Sequence, residues 1–412
     1  ETKGPVPITM VSKGGADFMG WARGGETLFW SIGPELKQAQ VRDFFASKPK
    51  GEDGEEAGYE TPDSAISMAV TVNKSAPSGT VAITGAKILT MAAGLDAQDP
   101  GAIENGVIII EGDRIAAIGA AGEVDVPAGA TIVDAGGKVV MPGFVDAHHH
   151  GPHGTGELVP QQNWSLIQDL AMGTTTTHNP SSDASLVFAA AERQIAGTLL
   201  APRIFSTGEI VYGAKSPGVY ARIDTYEDAL AHVRRIKAQG GTSIKNYNQP
   251  RREQRQMVAR ASAEEKMLVV AEGGSLFGMD MNLIADGNST MEHNVPGDVF
   301  YEDVLQFFGQ SNSNYTPTLV VTYGGLAGDP YWRQAMDVFD HPLMIHSPPK
   351  VLLANNARRT KAPEWAFVDD NAAREAKKLS DRGIKVSIGA HGQQPGLGAH
   401  WEIWSFVRGG FS

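Results

Sequence analysis

Hydrophobic and polar positions change rhythm twice along this chain. Lys13 to Ser31 reads as strand, Gly-Gly turn, strand, with the turn at Gly24-Gly25. Glu52 to Thr61 is acidic and turn-rich, as a solvated loop would be. From Val81 to about Phe144 short apolar runs predominate, among them Val81–Thr90 and Gly106–Gly119, the second folded back at Glu111-Gly112-Asp113-Arg114 as a hairpin. This stretch predicts a small β-sandwich. Beyond Phe144 short apolar strands alternate with longer amphipathic segments, the signature of βα units. Candidate strands begin near Phe144, Thr174, Arg203, Thr242, Met267, Thr290, Tyr315 and Lys385, and helices are predicted over Asp183–Leu200, Thr225–Gln239, Arg252–Glu264 and Asn371–Arg382. Eight such repeats in roughly 245 residues (144 to 388) are the size of a (β/α)8 TIM barrel. A doubly wound sheet would want a Gly-rich phosphate loop after its first strand, where this chain has histidines.

The predicted class is therefore α/β, in three parts: an all-β segment over 1–80, the small β-sandwich over 81–143, and the barrel over 144–412. At 412 residues the chain is long enough for two or three domains. A hydrophobic fraction of 42% with 20% charged residues is that of an ordinary globular protein. No apolar run approaches the ~20 residues of a membrane helix, so no membrane span is expected, and a formal net charge of -12 argues against a nucleic-acid partner. The absence of cysteine excludes disulfides and thiolate metal ligands. The chain begins at Glu1 without a signal peptide and reads as an internal fragment.

The strongest chemical signal is Val139 to His150, where an apolar run passes through Pro142-Gly143 into a short strand ending in His148-His149-His150. Alternate strand residues share a face, so His148 and His150 can reach one metal ion while His149 faces away, and imidazole suits zinc and its neighbours. In barrels of this kind active sites form at the C-terminal strand ends. Those ends carry His148 and His150 (strand one), His178 (two), Lys245 (four), Glu272 (five), His293 (six) and His391 (eight). A lone strand-end histidine is usually a hydrogen-bonded core residue, but this set recurs on the barrel period. Tyr247 and Tyr323 fit either carbonyl orientation or barrel packing, and His153 and His178 either substrate contact or structural hydrogen bonding. Arg251, Arg252 and Arg255 fit either a carboxylate subsite or an exposed helix start.

Met141 to His150, the run Gly173-Thr174-Thr175-Thr176-Thr177-His178 and Met291-Glu292-His293 together make the chain resemble the amidohydrolase superfamily of metal-dependent hydrolases, from about Val81 to the end. Within it, the chain looks closest to the imidazolonepropionase- and prolidase-like branch whose members sit behind a TolB-like β-propeller. Residues 1–80 then resemble a partial propeller, and a periplasmic or secreted setting is implied. The family continues past the equivalent of Ser412 with strands that complete the β-sandwich. The resemblance implies that His148 and His150 hold the more buried zinc ion, that His293 is a ligand, and that Lys245 is carboxylated and bridges a second ion. Burial in an apolar setting favours the neutral amine, the form that takes up carbon dioxide. Two positions depart from the family: Glu272 stands where a histidine is usual, and Gly389-Ala390-His391-Gly392 replaces Gly-Thr-Asp. Glu272 and His391 are accordingly the expected catalytic pair, with His391 base or ligand and Glu272 also binding metal. The implied activity is hydrolysis of a C–N amide bond in a small peptide or cyclic amide, with His178, Tyr247 and Arg251 as substrate contacts. A lactonase or phosphotriesterase on the same site, or a non-catalytic binding protein, are the alternatives. A homo-oligomer is compatible with all of these readings.

Overall fold

The computed structural model describes residues 8–412 apart from 13–14, 47–58, 93–100, 157, 214–220, 275, 343 and 345–359. Most of the acidic loop expected at Glu52–Thr61 therefore lies outside the described residues, as does Lys13-Gly14 at the start of the first hairpin. The hairpin itself forms as β1 (Asp17–Ala22) and β2 (Thr27–Ile32). β3 (Glu35–Gln40) and β4 (Ile66–Ser67) extend it to a four-stranded antiparallel sheet in the order β1-β2-β3-β4. Leu28, Trp30, Ala39 and Phe44 bury its one apolar face.

The next segment differs from expectation. β5 (Thr80–Leu89), β6 (Ala102–Glu111), β7 (Arg114–Ala120), β8 (Thr131–Asp134) and β9 (Val139–Val140) form one mixed sheet among the described residues, where two stacked sheets were expected. The reason is pairing around a single long strand: β5 takes β6 antiparallel on one side and β8, then β9, parallel on the other. The predicted turn is present, with Glu111 paired to Arg114.

Among the described residues, every strand from Phe144 onward pairs parallel. β10 (Phe144–Asp146), β11 (Thr174–Asn179) and β12 (Arg203–Ser206) form one sheet. β13 (Ile210–Val211), β14 (Ser243–Asn246), β15 (Leu268–Glu272), β16 (Thr290–Glu292) and β17 (Asn314–Thr316) form another. The Thr242 amide donates to the Ser206 carbonyl between the two sheets at 3.2 Å. At the far side, the segment expected to be strand eight is reduced to a single parallel bridge, Tyr315 to Val386. Its neighbour Ile388 accepts from the Ala147 amide at 3.0 Å, returning to the first strand.

Helices intervene as the periodicity requires. α1 (Trp164–Ala171), α2 (Ala184–Ile195), α3 (Tyr226–Gln239), α4 (Arg252–Glu264), α5 (Phe277–Ala285), α6 (Glu302–Gln310), α7 (Gly328–Ala335), α8 (Asp369–Ser380) and α9 (Leu397–Arg408) are the main ones. α3 shows the local logic. Thr225 and Asp228 form a reciprocal capping box at its start, and Gly240, at φ 110°, takes the left-handed conformation that ends it. Its buried stripe, Ala229, Val233 and Ile236, packs with Ile244 of β14 and Val258 of α4. Burying each such aliphatic side chain contributes ~1.5–3 kcal/mol, which holds the strand ends at the positions that concern function.

Candidate active site

Four imidazoles meet beyond the C-terminal ends of the parallel strands. His148 and His150 follow β10, His293 follows β16, and His391 follows the bridge segment. The His148 ring centroid lies 4.9 Å from that of His150, 4.8 Å from that of His293 and 5.1 Å from that of His391, and the His150 and His391 centroids are 4.6 Å apart. The ligand atoms of His148, His293 and His391 all lie within 4.8 Å of one another, and the three could hold a metal ion. His149 points away and pairs with Asp169 at 2.9 Å, as strand alternation requires.

Backbone and neighbours hold this cluster in place. His293 (φ 66°), Thr318 (φ 48°) and His391 (φ 58°) all adopt the left-handed region, which non-glycine residues keep only where surroundings over-determine it. Every one of the four rings is engaged at Nδ1. His148 donates to Glu292 Oε2 at 2.6 Å, His150 to Asn179 Oδ1 at 3.2 Å and His391 to Gln393 Oε1 at 3.3 Å, while His293 meets the Thr318 hydroxyl at 2.6 Å. The Nε2 atoms of His148 and His150 lie 3.1 Å apart, and that of His293 meets Glu272 Oε1 at 3.1 Å. Burial, reinforced by Lys245 and the neighbouring rings, holds His148 well below its usual pKa. Burial and His391 bring His150 down to about 3, and burial and His293 bring His391 down to about 4. Imidazoles kept neutral are ready to ligate.

Lys245 (1% exposed) forms an ion pair with Glu272, whose other oxygen lies 3.1 Å from His293 Nε2. Burial works against the Glu272 anion, but the Lys245 ammonium and His293 prevail and hold its carboxyl below the usual range. These groups line a cavity of about 420 Å³ together with His150, His391, Ser181, Tyr247, Val321 and Tyr323. The backbone of Tyr323 is clamped by Asn294, which accepts from its N–H at 2.6 Å and donates to its carbonyl at 3.1 Å. Burial, followed by Glu272, pushes the Tyr323 phenol up to about 12 and raises that of Tyr247, so both face the cavity as O–H donors at neutral pH.

Two expected substrate contacts lie elsewhere. His178 is used up by the Ala147 carbonyl (3.1 Å) and the Ser243 hydroxyl (2.7 Å), outside the cavity lining. Arg251 sits at the surface bonded to Glu253 at 2.8 Å, because the chain is already turning into α4 there. Arg252 pairs with Asp286, and Arg255 donates to the Gln249 carbonyl. Glu292 is the residue that sequence reasoning passed over. Its signal was an acid beside a strand-end histidine, in Met291-Glu292-His293.

The chain is similar in short stretches of its sequence to imidazolonepropionases, and in its fold to solved amidohydrolases. It is 36% identical over 87 residues to the imidazolonepropionase of Streptomyces avermitilis, covering 16% of this chain and 20% of that protein. With the imidazolonepropionase of Roseobacter denitrificans it is 32% identical over 114 residues, 25% of this chain and 28% of that one. The chain thus spans between a fifth and just over a quarter of these curated relatives. Among solved structures it is similar to a Xaa-Pro dipeptidase with bound methionine in the active site (TM-score 0.57, 17% identity, 81% of this chain and 84% of that one). A second is molinate hydrolase (TM-score 0.55, 15% identity, 81% and 82%). At such identities the likeness is one of fold. No protein-family model matches the chain.

Proposed function

We propose that the chain is a metal-dependent hydrolase that cleaves a C–N amide bond in a small peptide or cyclic amide. The observation that carries this reading is the cluster of four Nδ1-anchored imidazoles at the strand ends, three of which, His148, His293 and His391, could hold one ion. The domain plan that goes with it has a propeller remnant over 1–80, a small β domain over 81–143 and a (β/α)8 barrel over 144–412. Support for the barrel comes from the parallel pairing of β10 to β17 and from the hydrogen bond of Ala147 to Ile388.

His148, His150, His293 and His391 would hold zinc, and their neutral nitrogen donors fit that ion. A divalent ion there supplies Lewis-acid polarisation of a carbonyl and acidifies a water toward neutrality. The protein's own groups do the rest. Tyr247 and Tyr323 offer phenol hydrogens to a substrate oxygen, Val321 packs on its apolar part, and Glu272 keeps Lys245 compensated beside it. A second ion would be held by Lys245 if its neutral amine took up carbon dioxide and released a proton to form a carbamate in place of the ion pair with Glu272. The imidazolonepropionase and amidohydrolase relatives support the C–N bond as target.

The test is a hydrolysis screen of dipeptides and cyclic amides on zinc-loaded protein, run beside lactones and phosphotriesters, with metal content and the intact mass of the Lys245 peptide measured on the same sample. Amide turnover that disappears with chelation supports the proposal. Turnover confined to lactones or phosphotriesters, or none with zinc bound, counts against it.

A further inference from the structure

We infer that Glu292 is the positioning residue that sets His148 for metal binding, an inference that rests on the metal-site reading above. Glu292 is 2% exposed and His148 wholly buried, so their contact of 2.6 Å is made without water. An ionised Glu292 in reach of Nδ1 accepts a hydrogen bond from that nitrogen and leaves the lone pair on Nε2, the atom facing His150. Burial raises the Glu292 carboxyl to about 7, while Lys245 and the hydrogen bonds from Thr290 and Thr316 favour the anion. The carboxylate cannot turn to another partner. Its second oxygen accepts from the Thr290 hydroxyl at 2.6 Å, and the Thr316 side chain adds a further hydrogen bond.

Strand geometry explains why these groups act together. Thr290 and Glu292 are alternate residues of β16 and share its inner side, while Met291 between them packs into the apolar core behind. The three other imidazoles meet neutral partners at Nδ1, namely Asn179, Thr318 and Gln393. His148 alone has a carboxylate there, and its ring, like that of His391, is packed against all three others. A carboxylate behind a ligating histidine fixes the tautomer and ring orientation and strengthens the donor, and losing such a partner lowers metal affinity about 10- to 100-fold. Losing Glu292 should thus weaken metal binding by the cluster through His148.

Zinc affinity of the full chain, measured by competition with a chromophoric chelator, tests this, together with the visible absorption of the cobalt-substituted protein. The expected order is wild type, then Glu292→Gln, then Glu292→Ala, spanning about 10- to 100-fold, with the cobalt bands displaced in both variants. Thr290→Val should give a smaller loss in the same direction. A residue that merely fills the strand-end interior would leave the cobalt bands where they are. Wild-type zinc affinity and unchanged bands in Glu292→Gln, whose side chain has the same shape and whose folding is checked by circular dichroism, would overturn the inference. The Gln variant decides alone if the alanine variant does not fold. Wild-type protein that binds neither zinc nor cobalt would overturn the metal-site reading itself, and the inference with it.

Discussion

Replacing Glu272 by alanine strands the Lys245 ammonium in the interior. Lys245 is 1% exposed and Glu272 8%, so the ammonium would keep only what water the adjoining cavity admits in place of its lost partner. Breaking a buried ion pair from one side costs ~3–5 kcal/mol, whereas replacing both partners by apolar groups of similar volume is often neutral. Glu272→Ala should therefore lower the stability of chelator-treated protein by ~3–5 kcal/mol, and Lys245→Met/Glu272→Leu should lose much less. Urea unfolding followed by circular dichroism reads both, and a double-mutant cycle isolates the coupling. The sign with pH follows from the depressed Glu272 carboxyl. Its contribution is fully present above the unfolded carboxylate value of ~4.3 and is lost as pH falls through the lower folded value. The gap between wild type and Glu272→Ala should accordingly persist at pH 5 and close only in stronger acid. Single-variant costs below ~1 kcal/mol that simply add would refute the reasoning, since they are the behaviour of a solvated pair.

Other outcomes follow from the same geometry. The double variant His148→Ala/His150→Ala should retain no stoichiometric zinc after dialysis, measured by elemental analysis. Gly389→Ala would bring a methyl to 2.8 Å of Thr316 Cγ2 and 2.9 Å of both His148 Cβ and Thr318 Cγ2. It should cost ~1–3 kcal/mol in denaturant unfolding and weaken zinc binding at the same time. Tyr323→Phe removes one phenol donor from the cavity and should lower kcat/KM about 10-fold on an amide substrate, with zinc content unchanged, on the scale of one lost hydrogen bond. His391→Ala should lose zinc and activity together; full zinc content with lost activity would instead make His391 a proton carrier.

Much of the α/β half was legible because strand and helix periods differ. Parallel strands begin at Phe144, Thr174, Arg203, Ser243, Leu268, Thr290 and Asn314, each within a residue of its apolar run's start, while the two-residue β13 at Ile210 was not anticipated. Strand eight was overcalled: Lys385–Ile388 carries the alternation but makes one bridge, since the chain must leave early to bring His391 over His148. Over 81–143 the described residues form one mixed sheet; alternation reports a two-faced sheet without saying what covers the second face. At the site, histidines at strand ends were readable from spacing alone. Their supports were not, since Asn179, Thr318 and Gln393 are ordinary polar residues until the fold sets them beside an imidazole. Arg251 misled for a similar reason. A guanidinium at a helix start resembles an anion site, but Glu253 two residues on satisfies it.

The account stands most directly on zinc-dependent amide hydrolysis by one preparation. Chelator-stripped protein should be inactive on its best amide substrate, and activity should return in proportion to zinc added until the four-histidine site is filled. Stripped protein that hydrolyses the amide at the full rate, with no zinc detected, would contradict it.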